Sequence, residues 1–92
     1  MTVQTTRRFR AAFATLPEAA RRSISRGTRT LLEHPSDPAL QFKPIHPLRP
    51  VFSARVALGY IALGVKEGQD VIWFWVGSHA DYDRLLAQAH HG

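Results

Sequence analysis

The sequence predicts an α+β domain: an N-terminal helical hairpin and a C-terminal helix packed around a small antiparallel sheet of three to four strands. Three observations carry that reading. Before Pro35, apolar side chains recur at helical spacing. After Val51, apolar segments are separated by short turns of hairpin composition. The last of these segments runs straight into a polar helix start, Ser78-His79-Ala80-Asp81-Tyr82. With 92 residues the chain is one domain, 1–92, large enough for a single core but not for two. Residues 1–4 and 88–92 are expected to be flexible.

In the first helix Phe9, Phe13 and Leu16 fall at i, i+4 and i+7, one apolar stripe over roughly residues 5–15. Pro17 suits the first turn of a second helix, and Glu18 complements the positive end of its dipole. Ala20, Ile24 and Leu31 continue an inward face, flanked by Thr28 and Leu32, while Arg22, Arg26 and Arg29 line the other side. Gly27 weakens the middle of this helix by about 1 kcal/mol relative to alanine, and a close helix–sheet approach is one reason to keep it. Pro35 ends the helix, because the residue before proline avoids the helical region.

After the Pro35-Ser36-Asp37-Pro38 turn the period changes. Leu40, Phe42 and Ile45 suggest a short strand, and Pro47 and Pro50 bracket a loop. Residues 51–57 and 60–65 read as strands joined at Leu58-Gly59, and Lys66-Glu67-Gly68-Gln69-Asp70 makes a second hairpin turn. Residues 71–76 lack polar alternation, which places that strand centrally with both faces covered. Trp73 and Trp75 then share one face, as core. Tyr82, Leu85, Leu86 and Ala89 give the closing helix its inward side.

Composition bounds the function. At 45% hydrophobic residues the chain is an ordinary globular protein, and with no cysteine it has neither a disulfide framework nor a thiolate metal site. No long apolar run follows the N-terminus, so a cytoplasmic protein with no membrane partner is expected. Residues 1–46 hold eight Lys/Arg against three Asp/Glu, whereas residues 47–92 hold four of each, so the net charge of +5 belongs to the helical half. The Arg7/Arg8/Arg10 cluster and the Arg22/Arg26/Arg29 stripe fit a solvated face, or one that contacts phosphates. His90 and His91 are too few for a metal site, and no phosphate loop or nucleophile elbow is present. Neither a metal nor a cofactor is expected.

The pattern resembles the RelE/ParE superfamily of toxins from type II toxin–antitoxin systems. The resemblance is carried by Phe9, Leu16-Pro17, Phe42-Lys43, His46-Pro47, Phe52-Ser53-Ala54-Arg55-Val56, Gly59-Tyr60 and the run Ile72 to Asp83. That last run is similar to a RelE-like subgroup described as translational repressors. The resemblance implies a toxin whose partners are a cognate antitoxin protein, the ribosome and mRNA, with DNA reached only indirectly through a toxin–antitoxin complex. It implies ribosome-dependent mRNA cleavage by a metal-independent endoribonuclease. The alternatives are a ParE-like DNA gyrase poison and an inactive toxin-fold protein that binds an antitoxin. One departure bears on activity: the family usually carries arginine after the tyrosine of the third strand, facing the scissile phosphate, and here the pair is Tyr60-Ile61. Isoleucine supplies neither charge nor a hydrogen bond, which would attenuate catalysis.

Cleavage through the 2′-hydroxyl requires a base, cations for the phosphorane charge and a proton donor for the leaving oxygen. His79 is the acid–base candidate, because a neutral imidazole can take up a proton and the helix start it occupies attracts phosphate. Its alternative role is an exposed first-turn residue. Asp81 reads as a structural cap in a Ser78-x-x-Asp81 start. Arg55 lies on an otherwise small and apolar strand, where it is either a solvated sheet residue or, as the resemblance implies, a phosphate-binding and catalytic one. Lys43 is a second phosphate-binding candidate. Tyr82 could stack on a base, although its spacing with Leu85 and Leu86 makes its ring mostly core.

Overall fold

The computed structural model describes the backbone of residues 2–91 and the side chains of residues 2–88. Five strands and three helices follow in the order β1 (Thr2–Thr5), α1 (Arg7–Ala14), α2 (Glu18–Glu33), β2 (Lys43–Pro44), β3 (Val51–Ala57), β4 (Tyr60–Glu67), β5 (Asp70–Ser78) and α3 (His79–His91). A single 3-10 turn, Pro38–Leu40, precedes β2. The strands form one sheet in the order β1-β5-β4-β3-β2. All neighbours are antiparallel except β1, which runs parallel to β5.

The α+β class and the three meander strands agree with the sequence reading, but the strand number is larger. Residues 1–4 were expected to be flexible and residue 5 to begin the first helix; instead Thr2 to Thr5 pair with Asp70 to Trp73. A four-residue stretch of two threonines, a valine and a glutamine has little helical signal and pairs along the edge that β5 offers. The expected strand around Leu40 to Ile45 shrinks to Lys43–Pro44, with Leu40 buried from the 3-10 turn instead. Phe42 stacks on Phe52 at 4.9 Å, fastening this short edge to β3. The middle strand is β4, with β5 one place from it. At the C-terminal end α3 continues past residue 88 to His91, while the inward role expected of Ala89 and the state of Gly92 lie outside the described residues.

Helix α1 starts at the Thr6 cap, whose Oγ1 accepts from the Phe9 N–H at 3.2 Å. Phe9 is buried and stacks on Phe13 one turn later at 5.8 Å. Pro17 caps α2 rather than entering its first turn, a shift of one residue. Ile24 and Leu31 face the sheet and are completely covered, each contributing roughly 1.5–3 kcal/mol of burial. They meet Ala54, Val56, Ala62, Val71, Trp73 and Val76 in one core between the helical hairpin and the sheet.

Two glycine contacts set the layer spacing. A Cβ on Gly27 would stand 1.8 Å from the carbonyl oxygen of Val56, so α2 lies directly on the backbone of β3. A Cβ on Gly64 would stand 2.6 Å from Cε3 of Trp73, so the indole rests on the β4 backbone.

The register corrects the expectation for the two tryptophans. Leu63 pairs with Trp75 while its neighbour Gly64 pairs with Trp73, so β5 carries one extra residue, Phe74. Facing residues share a side of the sheet and successive ones alternate. Trp73 therefore turns into the core, 1% exposed, and Trp75 turns to the other face.

Replacing Gly27 with alanine reverses the usual sign of that change. Helix propensity alone would add about 1 kcal/mol of stability. Here the methyl meets backbone that cannot swing aside, and Gly27→Ala is expected to destabilise the domain by about 1–3 kcal/mol or more in denaturant unfolding. A gain in stability would contradict the close approach of α2 to β3.

Candidate functional site

The face of the sheet opposite the helical hairpin holds the candidate residues. In β3 and β4, Arg55 pairs directly with Ile61, and Ile61 pairs with Gly77 in β5. These three, with Ser53, Leu63 and Trp75, point away from the Trp73 core. Lys43 pairs with Ser53 and so lies on the same face.

The Leu58-Gly59 turn brings the helix start to this row. Gly59 has φ +80°, the left-handed region that only glycine adopts at little cost. Its carbonyl accepts from the His79 N–H at 2.9 Å, fixing the first residue of α3 against the turn. His79 is thereby set beside the Arg55–Ile61 pair. A cleft of about 240 Å³ is lined by Gln41, Arg55, Gly59, Tyr60, Ile61 and His79.

Arg55 and His79 thus line one cleft. Arg55 is exposed and has no carboxylate partner among the described residues, so its guanidinium is free for an anion. The exposed His79 ring has Asp83 one turn on, with Nε2 to Oδ1 at 4.0 Å. The two other candidates stand outside the cleft. Lys43 is exposed at the β2 edge, across from the residue two before Arg55. Tyr82 is half-buried, tilted against Trp75 and His79 with ring centroids 6.3 Å from each. Gln41, which carries no motif, escaped sequence reasoning, and Trp75, expected in the core, takes this face because of the extra residue at Phe74.

Ile61 faces the cleft and is only 9% exposed, wedged among its neighbours on the sheet. An arginine here would pack its aliphatic stem where isoleucine packs and carry its head into the cleft.

Ser78 caps α3 as expected, its Oγ accepting from the Asp81 N–H at 3.1 Å. With the His79 amide bound to Gly59, two of the N–H groups at this helix end are already engaged. The phosphate-attracting character foreseen for the terminus therefore rests on what remains. Asp81 is exposed and hydrogen-bonded to Arg84. The Arg84 guanidinium, and after it Ser78, hold its carboxyl below the ordinary aspartate value of 3.8. These contacts make Asp81 part of the helix start. Among the described residues no group of three or more His, Asp or Glu side chains could hold a metal ion. No described helix is long and apolar enough to cross a membrane.

No protein-family model matches the chain, and none of the curated proteins is significantly similar to it. Solved structures are. A chain of the RelBE2 toxin–antitoxin complex from Mycobacterium tuberculosis superimposes with a TM-score of 0.69 at 23% identity, covering 85% of this chain and 96% of that one. A chain of the RelB–RelE complex from Methanococcus jannaschii gives 0.69 at 18% identity, covering 88% and 96%. YafQ from E. coli strain BL21(DE3) gives 0.67 at 13% identity, covering 87% and 94%. The fold is that of the RelE and YafQ toxins. At these identities the likeness is one of backbone architecture, and nearly the full length of each RelE-like chain is matched. The RelE-like fold thus accounts for the five-stranded sheet, the helical hairpin on one face and the helix beginning at His79.

The lowered Asp81 value fixes the sign of one pH effect. Its carboxylate stabilises the α3 start above the ordinary aspartate range, and that contribution is lost as pH falls through the lowered value. Wild type is expected to melt above Asp81→Asn at neutral pH, the gap closing in acid; a gap independent of pH would count against the Arg84 and Ser78 contacts.

Proposed function

We propose that this protein is the toxin component of a type II toxin–antitoxin system, acting in the cytoplasm by ribosome-dependent mRNA cleavage that Ile61 attenuates. The observation that supports this most is the convergence of Arg55 and His79 on one cleft of a RelE-like fold. In the reaction the 2′-oxygen attacks the adjacent phosphorus, the bond to the 5′-oxygen breaks, and a cyclic phosphate and a 5′-hydroxyl are left. Arg55 binds the phosphate with its fork of donors. His79 transfers the proton, accepting it from the 2′-hydroxyl or donating it to the 5′-oxygen. Lys43 and Tyr82 lie along the path of the flanking strand. No cofactor or metal has a part in it.

Ile61 supports a second reading, a toxin-fold protein that retains antitoxin binding without catalysis. A cation at the scissile phosphate stabilises charge that grows in the transition state, and losing one such donor costs on the order of 10²–10³ in rate. Ile61→Arg separates the two readings. The variant should fold, raise toxicity and produce cuts in translated messages by primer extension, and adding His79→Ala should abolish most of the gain. A thermal melt of each variant distinguishes lost chemistry from lost structure. A stably folded Ile61→Arg protein that cuts no message favours the binding-only reading. Inhibition of gyrase supercoiling with messages intact overturns both in favour of a ParE-like poison.

The complexes among the structural relatives support an antitoxin partner. With the excess positive charge carried by residues 1–46, that partner should be acidic and should cover the basic helical surface or the sheet face. Co-expression with the adjacent open reading frame is expected to give one tight complex on size exclusion; independent elution counts against it.

A further inference from the structure

Gln41 is the only non-glycine residue with positive φ among those described, at φ 47° and ψ 42°. It closes the Pro38–Leu40 turn, donating its N–H to the Pro38 carbonyl at 3.2 Å. Glycine or asparagine is the usual occupant of such a position, since other side chains crowd the backbone there. Gln41 is nevertheless exposed and lines the cleft with Arg55, Ile61 and His79. Strain held at a cleft that glycine would relieve points to use of the side chain.

The chemistry of the cleft says what that use is. Arg55 offers donors only and suits a phosphate, and Ile61 is an apolar wall. The Gln41 carboxamide presents a donor and an acceptor side by side, the pattern that pairs with the edge of a nucleobase. Being uncharged, it adds little to phosphate affinity and can discriminate without raising non-specific binding. Single-stranded RNA exposes such edges for reading.

We propose that Gln41 is a specificity-determining residue, reading the base edge of the nucleotide whose phosphate Arg55 holds. The inference rests on the RNA reading of the cleft. It is tested by titrating the labelled full-length protein with ribosomes programmed by messages that differ only in the exposed codon. Wild type should prefer some codons by roughly tenfold or more, the range of one bidentate base contact. Gln41→Gly should melt at a higher temperature, because the strain is relieved, and bind all codons alike. Gln41→Glu, which keeps length but loses the donor, should shift the preference rather than erase it. Arg55→Ala should weaken binding to every codon equally and leave the preference in place. A Gln41→Gly protein that keeps the wild-type preference overturns the role of Gln41 while leaving the RNA reading intact. Absence of binding by wild type to any programmed ribosome overturns both.

Discussion

The extra residue in β5 decides how the two faces of this sheet are used. Because Leu63 pairs with Trp75 and Gly64 with Trp73, the two indoles leave the strand on opposite sides, each over a glycine. Trp73 lies on Gly64 and completes the core beneath the helical hairpin; Trp75 lies on Gly77, where a Cβ would stand 2.7 Å from its ring. A regular strand would have put both rings on one side, overfilling the core and leaving the other face bare. The β5 bulge converts one apolar run into a core wall and a floor for Tyr82 and α3.

Behind the sheet, the contact of Gly27 with the Val56 backbone seats α2 so closely that Ile24 and Leu31 reach across to Ala54 and Ala62. Small residues on β3 and β4 match that spacing, since larger ones would lift the helix. In front, the Gly59 carbonyl holds the amide of His79. Both glycines thus act through backbone: one by admitting a helix, the other by turning a hairpin so that its carbonyl meets the next helix. The side chains of Arg55 and His79 come from elements 24 residues apart in sequence and meet because that turn is fixed.

Some of this was legible in the chain. The apolar spacing of Phe9, Phe13, Ala20, Ile24 and Leu31 named the hairpin's inner face, and the Leu58-Gly59 and Gly68 turns delimited the meander. The Ser78-x-x-Asp81 cap was readable because capping is local. The first strand was not, because four residues have no periodicity to speak of and parallel pairing depends on a distant edge. Gln41 was not, because its left-handed backbone follows from how the Pro38 turn meets β2.

The sequence by itself determined the α+β class and the order of the helices and meander strands. Those are consequences of local propensity, alternation and side-chain type, which act over a few residues. Only the tertiary structure decided which face each tryptophan takes, that Ile61 stands in the cleft beside Arg55, and that Gln41 joins them. A one-residue change of register inverts every side chain beyond it, and register is set by pairing and packing between distant strands rather than by the residues that are inverted.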